Sequence, residues 1–174
     1  MLSLAGEEEA RSVMAVALGQ GPADLAVTDV TLFNAYTKEC LQGLTVATKG
    51  RWIAYVGDDP AGRISGITRV VNAEGKTLIP GFIDGHTHLA DMIYPPSAFV
   101  RHAAPGGTTA VITETIEPYP ICGRAGIEDF LSALEGQPIT FFATAPPLAS
   151  NCSACNGISM EDLRALLDLS LIHI

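Results

Sequence analysis

The hydrophobic pattern of this chain changes period twice, and the second change, at Pro80-Gly81, limits its possible folds more than any other feature. Residues 7–18 (EEEARSVMAVAL) carry Ala10, Val13, Met14, Ala17 and Leu18 at helical spacing. Three Glu stand in the first turn, where they complement the helix dipole. Gly19 and Gly21-Pro22 stop the helix. From Asp24 to about Lys76 the period falls to two. "DLAVTDVTLFNA", "LTVATKGRWIAYVGD" and "TRVVNAEGKTLIPG" read as short strands, separated by turn residues at Lys49-Gly50, Asp58-Asp59-Pro60 and Glu74-Gly75. The middle stretch predicts a hairpin with Lys49-Gly50 at its tip. The spacing predicts a small β-sandwich or half-barrel.

Beyond Pro80 the rhythm becomes strand, helix, strand, helix, strand, helix. The expected strands are 78–88, 106–113 and 138–146. The expected helices are 96–104, with Pro96 in the first turn, "GIEDFLSALEG", and "SMEDLRALLDL" opening at Ser159. A repeating series of this kind builds a parallel sheet covered by helices. Three such units are visible, whereas a closed (β/α)8 barrel has eight and about 250 residues. The expected fold class is therefore α/β: a small N-terminal β domain, then the first units of an incomplete (β/α)8 barrel. The expected divisions are an N-terminal helix (1–21), the β domain (22–77) and the barrel start (78–168). The terminal "LSLIHI" follows an amphipathic helix abruptly and resembles translated adaptor sequence, so residues 169–174 are set apart as a non-native tail and His173 is given no role.

Composition narrows the function classes. The chain has 174 residues, is 48% hydrophobic and carries a net charge of −9. Nucleic-acid binding rests on Lys and Arg neutralising phosphates, so an acidic chain argues against that partner. No apolar run reaches the roughly 18 residues of a membrane span, and the start lacks the basic and apolar regions of a signal peptide. Four Cys in a chain of this length are no disulfide framework. A cytoplasmic location is expected.

The chemistry concentrates in "LIPGFIDGHTHL", Leu78 to Leu89. On a strand, alternate side chains share a face, so Asp84, His86 and His88 look the same way. Imidazole suits Zn, Mn, Fe and Ni. A ligating His also needs an acceptor that fixes its tautomer, a role Asp84 could fill as well as that of a plain strand-end carboxylate. In (β/α) architectures the site lies at the C-terminal ends of the strands, where this motif sits. Spacing and position therefore favour a metal site over two core histidines.

"TLIPGFIDGHTHL", entered directly from a small β domain, resembles the first barrel strand of the amidohydrolase superfamily, whose members hydrolyse C–N and related bonds with one or two divalent metals. Within it the chain resembles the bacterial adenine deaminases. "GQGPADLAVTDVTLFNAYTKE" is similar to that family's opening, "MIYPPSAFVRHAAPGGTTAVITE" to the segment after the metal motif, and "FFATAPPLASNCSACNGISMEDLRALLD" to the third strand and its helix. The resemblance covers nearly the whole chain to about Asp168. It implies a urease-like β domain, a barrel, and His86 and His88 as metal ligands. It also implies a divalent metal, binuclear and drawn from Mn, Fe or Zn, and conversion of adenine and water to hypoxanthine and ammonia in purine salvage. The implied partner is a small heterocycle, with a homo-oligomer of the full-length protein as the only macromolecular association.

The chain also departs from the family pattern. Where the family shows Asp-Pro-His-Glu, this chain has "ITETIEPYP", with Glu114 and Glu117 but no His. Each Glu reads either as a catalytic carboxylate facing the site or as a solvated loop residue. "SNCSACNG" likewise stands where the family has a Glu-Thr pair. These departures keep open a second substrate class, another heterocycle or cyclic amide. The presence of three βα units keeps open a non-catalytic truncated product, and the chain by itself is expected to be inactive. Metal affinity should be weak with two assigned ligands. Cys152-x-x-Cys155 lacks a second matching pair and reads as ordinary loop thiols. His102 reads as a surface residue, and "GGTT" at 106–109 as a tight lead-in to a strand.

Overall fold

The computed structural model describes residues 6–92, 94–146, 157–169 and 172. The chain divides into two compact units between Pro80 and Gly81, three residues beyond the division expected from the sequence.

The first unit opens with α1 (Glu7–Ala17). Gly19, at φ 70°, donates its N–H to the Val16 carbonyl at 3.0 Å and closes the helix. Four strands follow, β1 (Leu25–Asn34), β2 (Glu39–Lys49), β3 (Trp52–Gly57) and β4 (Arg69–Asn72), with the two-residue β5 (Thr77–Leu78) after them. Their order is β3-β2-β1-β4, with β5 also on β1. β2 and β3 form the expected hairpin, pairing Lys49 with Trp52 across the Lys49-Gly50 turn. β1 pairs in parallel with β4 through Leu25–Thr28, then with β5 through Thr31 and Leu32. The change of partner falls at a bulge where Asp29 takes φ 53°, and its carbonyl accepts the Gly75 N–H at 2.8 Å. Of the two expected forms, the sandwich lacks its second sheet among the described residues. Among the described residues there is one mixed sheet, and its second layer is α1, through Val16 packed with Ala23 and Ala47.

The second unit contains β6 (Phe82–Thr87), α2 (Pro96–Ala103), β7 (Thr108–Thr113), α3 (Pro118–Leu134), β8 (Thr140–Ala143) and α4 (Met160–Leu167). The strands lie in the order β6-β7-β8, both pairs parallel. The βα alternation therefore builds a parallel sheet with helices. Several bounds differ from expectation. The strand expected over 78–88 is split, because Pro80 has no N–H to offer a ladder. Leu78 pairs in the first sheet, the new strand begins at Phe82, and His88 stands outside it. Gly107, at φ 94°, holds the turn that delays β7 to Thr108. α3 begins eight residues early, at Pro118, and kinks at Gly123 (φ 63°) before the expected "GIEDFLSALEG".

The core of this unit is built from Leu89, Val100, Val111, Ile127, Leu131, Leu134, Ile139, Phe141 and Leu166. α4 starts as the sequence requires, with the Ser159 Oγ accepting the Asp162 N–H at 3.0 Å. Of the tail set apart above, Ile172 lies buried in this core and Leu169 packs against it; His173 lies outside the described residues. No helix among the described residues is long and apolar enough to cross a membrane.

Candidate metal centre

The C-terminal ends of β6, β7 and β8 bring the polar residues together. His86 lies on β6, and His88 caps the 3-10 turn Leu89–Asp91 that follows. Their Nε2 atoms are 3.1 Å apart, with the ring planes at 75°. Glu114 lies just past β7, its N–H donating to the Thr87 carbonyl at 2.8 Å. Its Oε1 stands 3.6 Å from His86 Nδ1, while its Oε2 accepts the Thr144 hydroxyl at 2.6 Å. Thr144 follows β8, and its carbonyl accepts the hydroxyl of the fully buried Thr115 at 2.7 Å. Glu117, at the N-cap of α3, bonds through Oε1 to His88 Nδ1. Buried Thr113 joins the layers beneath by accepting the Leu89 N–H and donating to the Glu114 carbonyl.

Each imidazole therefore has a carboxylate at Nδ1, one hydrogen-bonded and one at 3.6 Å. With Nδ1–H directed at a carboxylate, the neutral tautomer exposes the Nε2 lone pair. The Glu117 bond raises the His88 pKa above its ordinary value; desolvation opposes the rise, and the charges of Glu117, Glu114 and Asp91 add to it. Asp84, read from the sequence as either a tautomer-fixing acceptor or a plain strand-end carboxylate, accepts the backbone N–H of His86 at 3.2 Å. Its short side chain reaches the local backbone, as Asp commonly does. The structure thus gives Glu114 and Glu117 the positions beside the rings.

The donor set fits a divalent cation on two observations. Two imidazole nitrogens 3.1 Å apart have the spacing of a pair sharing one ion at about 2.1 Å each. The buried Glu117 Oε2 has no hydrogen-bond partner, an arrangement a protein rarely leaves uncompensated. Asp91 was not expected from the sequence. Single ligand atoms of His88, Asp91 and Glu117 lie within 4.8 Å of one another, and an open cavity of about 380 Å³ adjoins Asp91 and Glu117. His102 is exposed on α2. Cys40 and Cys122 are exposed free thiols, and Cys152 and Cys155 lie outside the described residues.

Known proteins bear on this geometry. No family model matches the chain. An adenine deaminase of Ruegeria pomeroyi is 34% identical over 137 residues, covering 79% of this chain and 23% of the relative. Adenine deaminase 1 of a Jannaschia species is 34% identical over 155 residues, covering 89% and 26%. The enzyme of Cenarchaeum symbiosum is 31% identical over 158 residues, again covering 89% and 26%. Among solved structures, molinate hydrolase matches with a TM-score of 0.49 at 19% identity, covering 74% of this chain and 31% of that one. Phenylurea hydrolase B matches at 0.46 and 22%, covering 71% and 31%. At these TM-scores the structural likenesses decide nothing.

The sequence relationship is to the curated adenine deaminases, and the chain is an adenine deaminase-like sequence. The chain spans about a quarter of the length of the curated relatives it matches.

Proposed function

We propose that these residues belong to a hydrolytic adenine deaminase, which converts adenine and water to hypoxanthine and ammonia. The observation that carries the reading is the His86–His88 pair, with Nε2 atoms 3.1 Å apart and carboxylates at both Nδ1 positions, in a chain 34% identical to adenine deaminases over most of its length. His86 and His88 would hold a divalent cation, binuclear in the complete site and drawn from Mn, Fe or Zn. Such a cation lowers the pKa of water toward neutrality and polarises the atom under attack.

The residues of this chain prepare that chemistry. Glu117 accepts the His88 Nδ1 proton and keeps Nε2 free. Glu114, held by the Thr144 hydroxyl at 2.6 Å, faces His86 from the end of β7. A carboxylate there is placed to take a proton from water and return it to a leaving amine. The three parallel strands would be the first units of a (β/α)8 barrel, whose site lies at the strand ends. The working location would be the cytoplasm, the full-length protein a homo-oligomer, and the 174-residue chain alone inactive.

The test is an assay of ammonia and hypoxanthine release from adenine, using protein from the complete reading frame that carries these residues. Release dependent on divalent metal supports the proposal. No release at any metal loading, with turnover of a cyclic amide in a parallel panel, favours the second substrate class raised by the missing Asp-Pro-His-Glu segment.

A further inference from the structure

Strand register decides what meets Glu114. β7 and β8 run in parallel with Thr113 opposite Ala143, and the ladder continues one step further, the Thr144 N–H donating to the Thr113 carbonyl at 3.0 Å. Phe141 and Ala143 pack with Val111 in the core of this unit. Side chains alternate between the faces of a strand, so the next residues, Glu114 and Thr144, share the opposite face. Their side chains meet there, with the Thr144 hydroxyl donating to Glu114 Oε2 at 2.6 Å. The backbone on both sides of that bond is fixed separately. The fully buried Thr115 donates its hydroxyl to the Thr144 carbonyl at 2.7 Å, and the Glu114 N–H donates to the Thr87 carbonyl at 2.8 Å. A glutamate side chain has several torsions to order, and a charge-assisted bond to a fixed strand end restricts them. With Oε2 committed to Thr144, Oε1 stands 3.6 Å from His86 Nδ1. His88 needs no such tether, because Glu117 bonds to its Nδ1 directly.

We propose that Thr144 is a positioning residue of this centre: through Glu114 it sets the tautomer in which His86 offers Nε2. The proposal rests on the reading of the two histidines as metal-holding groups, and extends it to a side chain at the end of the third strand that is itself no ligand. The physical link is electrostatic. A carboxylate oxygen 3.6 Å from Nδ1 is too far for a hydrogen bond, yet it repels a lone pair on that nitrogen and favours a proton there. The lone pair is then left on Nε2, which faces the Nε2 of His88 at 3.1 Å. Without the hydroxyl, Glu114 Oε2 turns to water and Oε1 loses its place beside the ring. The same tether leaves Glu114 with one oxygen free to handle a proton at the site.

The test is nitrogen NMR of the imidazole rings in the metal-free 174-residue chain, in alkaline buffer, where the Nδ1–H and Nε2–H forms give separate signatures. Thr144→Val keeps the shape of the residue and both backbone hydrogen bonds at that position, and removes the hydroxyl. It should lower the Nδ1–H to Nε2–H ratio of His86 by about fivefold, while the ratio of His88 stays as in wild type. Thr144→Ser, which keeps the hydroxyl, should restore the wild-type ratio. Glu114→Gln, which removes the charge, should lower the ratio as the Val variant does, and keeps the test decisive if Val disturbs the strand end; circular dichroism checks each fold. In protein from the complete reading frame, Thr144→Val should lower kcat for adenine by about tenfold or more with KM nearly unchanged. An unchanged His86 ratio in Thr144→Val or in Glu114→Gln, or equal shifts in the Val and Ser variants, would overturn the role of Thr144. A complete wild-type protein that releases no ammonia from adenine would overturn the deaminase reading instead, and the tautomer ratio would still decide Thr144.

Discussion

The two units of this chain are stabilised in different ways. The buried residues of the first are small: Val16, Ala23, Ala26, Val30, Val46 and Ala47. Those of the second include Leu89, Ile127, Leu131, Leu134, Ile139, Phe141 and Leu166. The first unit relies on strand register, turns and close backbone approach, such as Gly62 against the Gly19 carbonyl. The second relies on interlocked large side chains beneath its sheet. The histidines and carboxylates stand on the second. A site must hold its groups within about half an ångström of working geometry, and a densely packed core transmits little slack.

The strongest way to break this contrast is to hollow the second core. Ile127→Ala, at a position with no exposed surface, should cost about 2–5 kcal/mol in denaturant unfolding. Ile53→Ala in the first unit, where the residue is 68% exposed, should stay within about 0.5 kcal/mol. The first unit should instead be sensitive at its backbone. An added methyl at Gly62 would lie 2.0 Å from the Gly19 carbonyl oxygen, at φ +73°. Gly62→Ala should therefore cost about 2 kcal/mol or more. Equal tolerance of Gly62→Ala and Ile53→Ala would show that the close approach is unimportant.

Ionic groups sharpen the comparison. In the first unit Asp24 accepts the Gly50 N–H and the Lys49 ammonium, both at 2.7 Å, and so secures the hairpin tip. Half-exposed as it is, Asp24→Ala should cost about 1 kcal/mol. The Gly50 bond and then Lys49 hold its carboxyl below the usual aspartate range. Its stabilising contribution is therefore present above the unfolded aspartate pKa, about 3.9, and is lost as pH falls through the lower folded value. Asp24→Asn should flatten the acid limb of the stability curve, and an unchanged limb would contradict this.

His88 in the second unit behaves in the opposite sense. Its pKa is raised chiefly by Glu117, so its contribution is complete below the ordinary histidine pKa and is lost as pH rises through the folded value. In metal-free Glu117→Gln, NMR titration should show the His88 pKa falling toward normal. This is the smallest of the expected effects, because the ring is solvent-accessible.

How much of this could be read in the sequence depends on the range of the signal. Period-two alternation revealed the hairpin at Lys49-Gly50 and the strand carrying His86, since both follow from neighbours along one chain. The parallel strands followed from the βα rhythm. The single first sheet was hidden, because β1 changes partner at the Asp29 bulge and no periodicity records which strand it meets. Asp91 was hidden because the chain leaves the strand period at His88 for a 3-10 turn, where the neighbour is at i+3 instead of i+2. Glu117 reaches His88 across 29 positions of sequence, a distance over which spacing carries no information. Asp84 shows the converse: its i+2 partner is His86, but the backbone N–H and not the ring.

The central claim is that His86 and His88 jointly present a divalent-metal site. The most direct measurement is NMR of the imidazole protons during addition of substoichiometric Mn2+, in a chain with four histidines. The account predicts that the signals of His86 and His88 broaden first, while that of His102 on α2 persists. Uniform broadening of all histidines, or none at Mn2+ concentrations matching the protein, would contradict it.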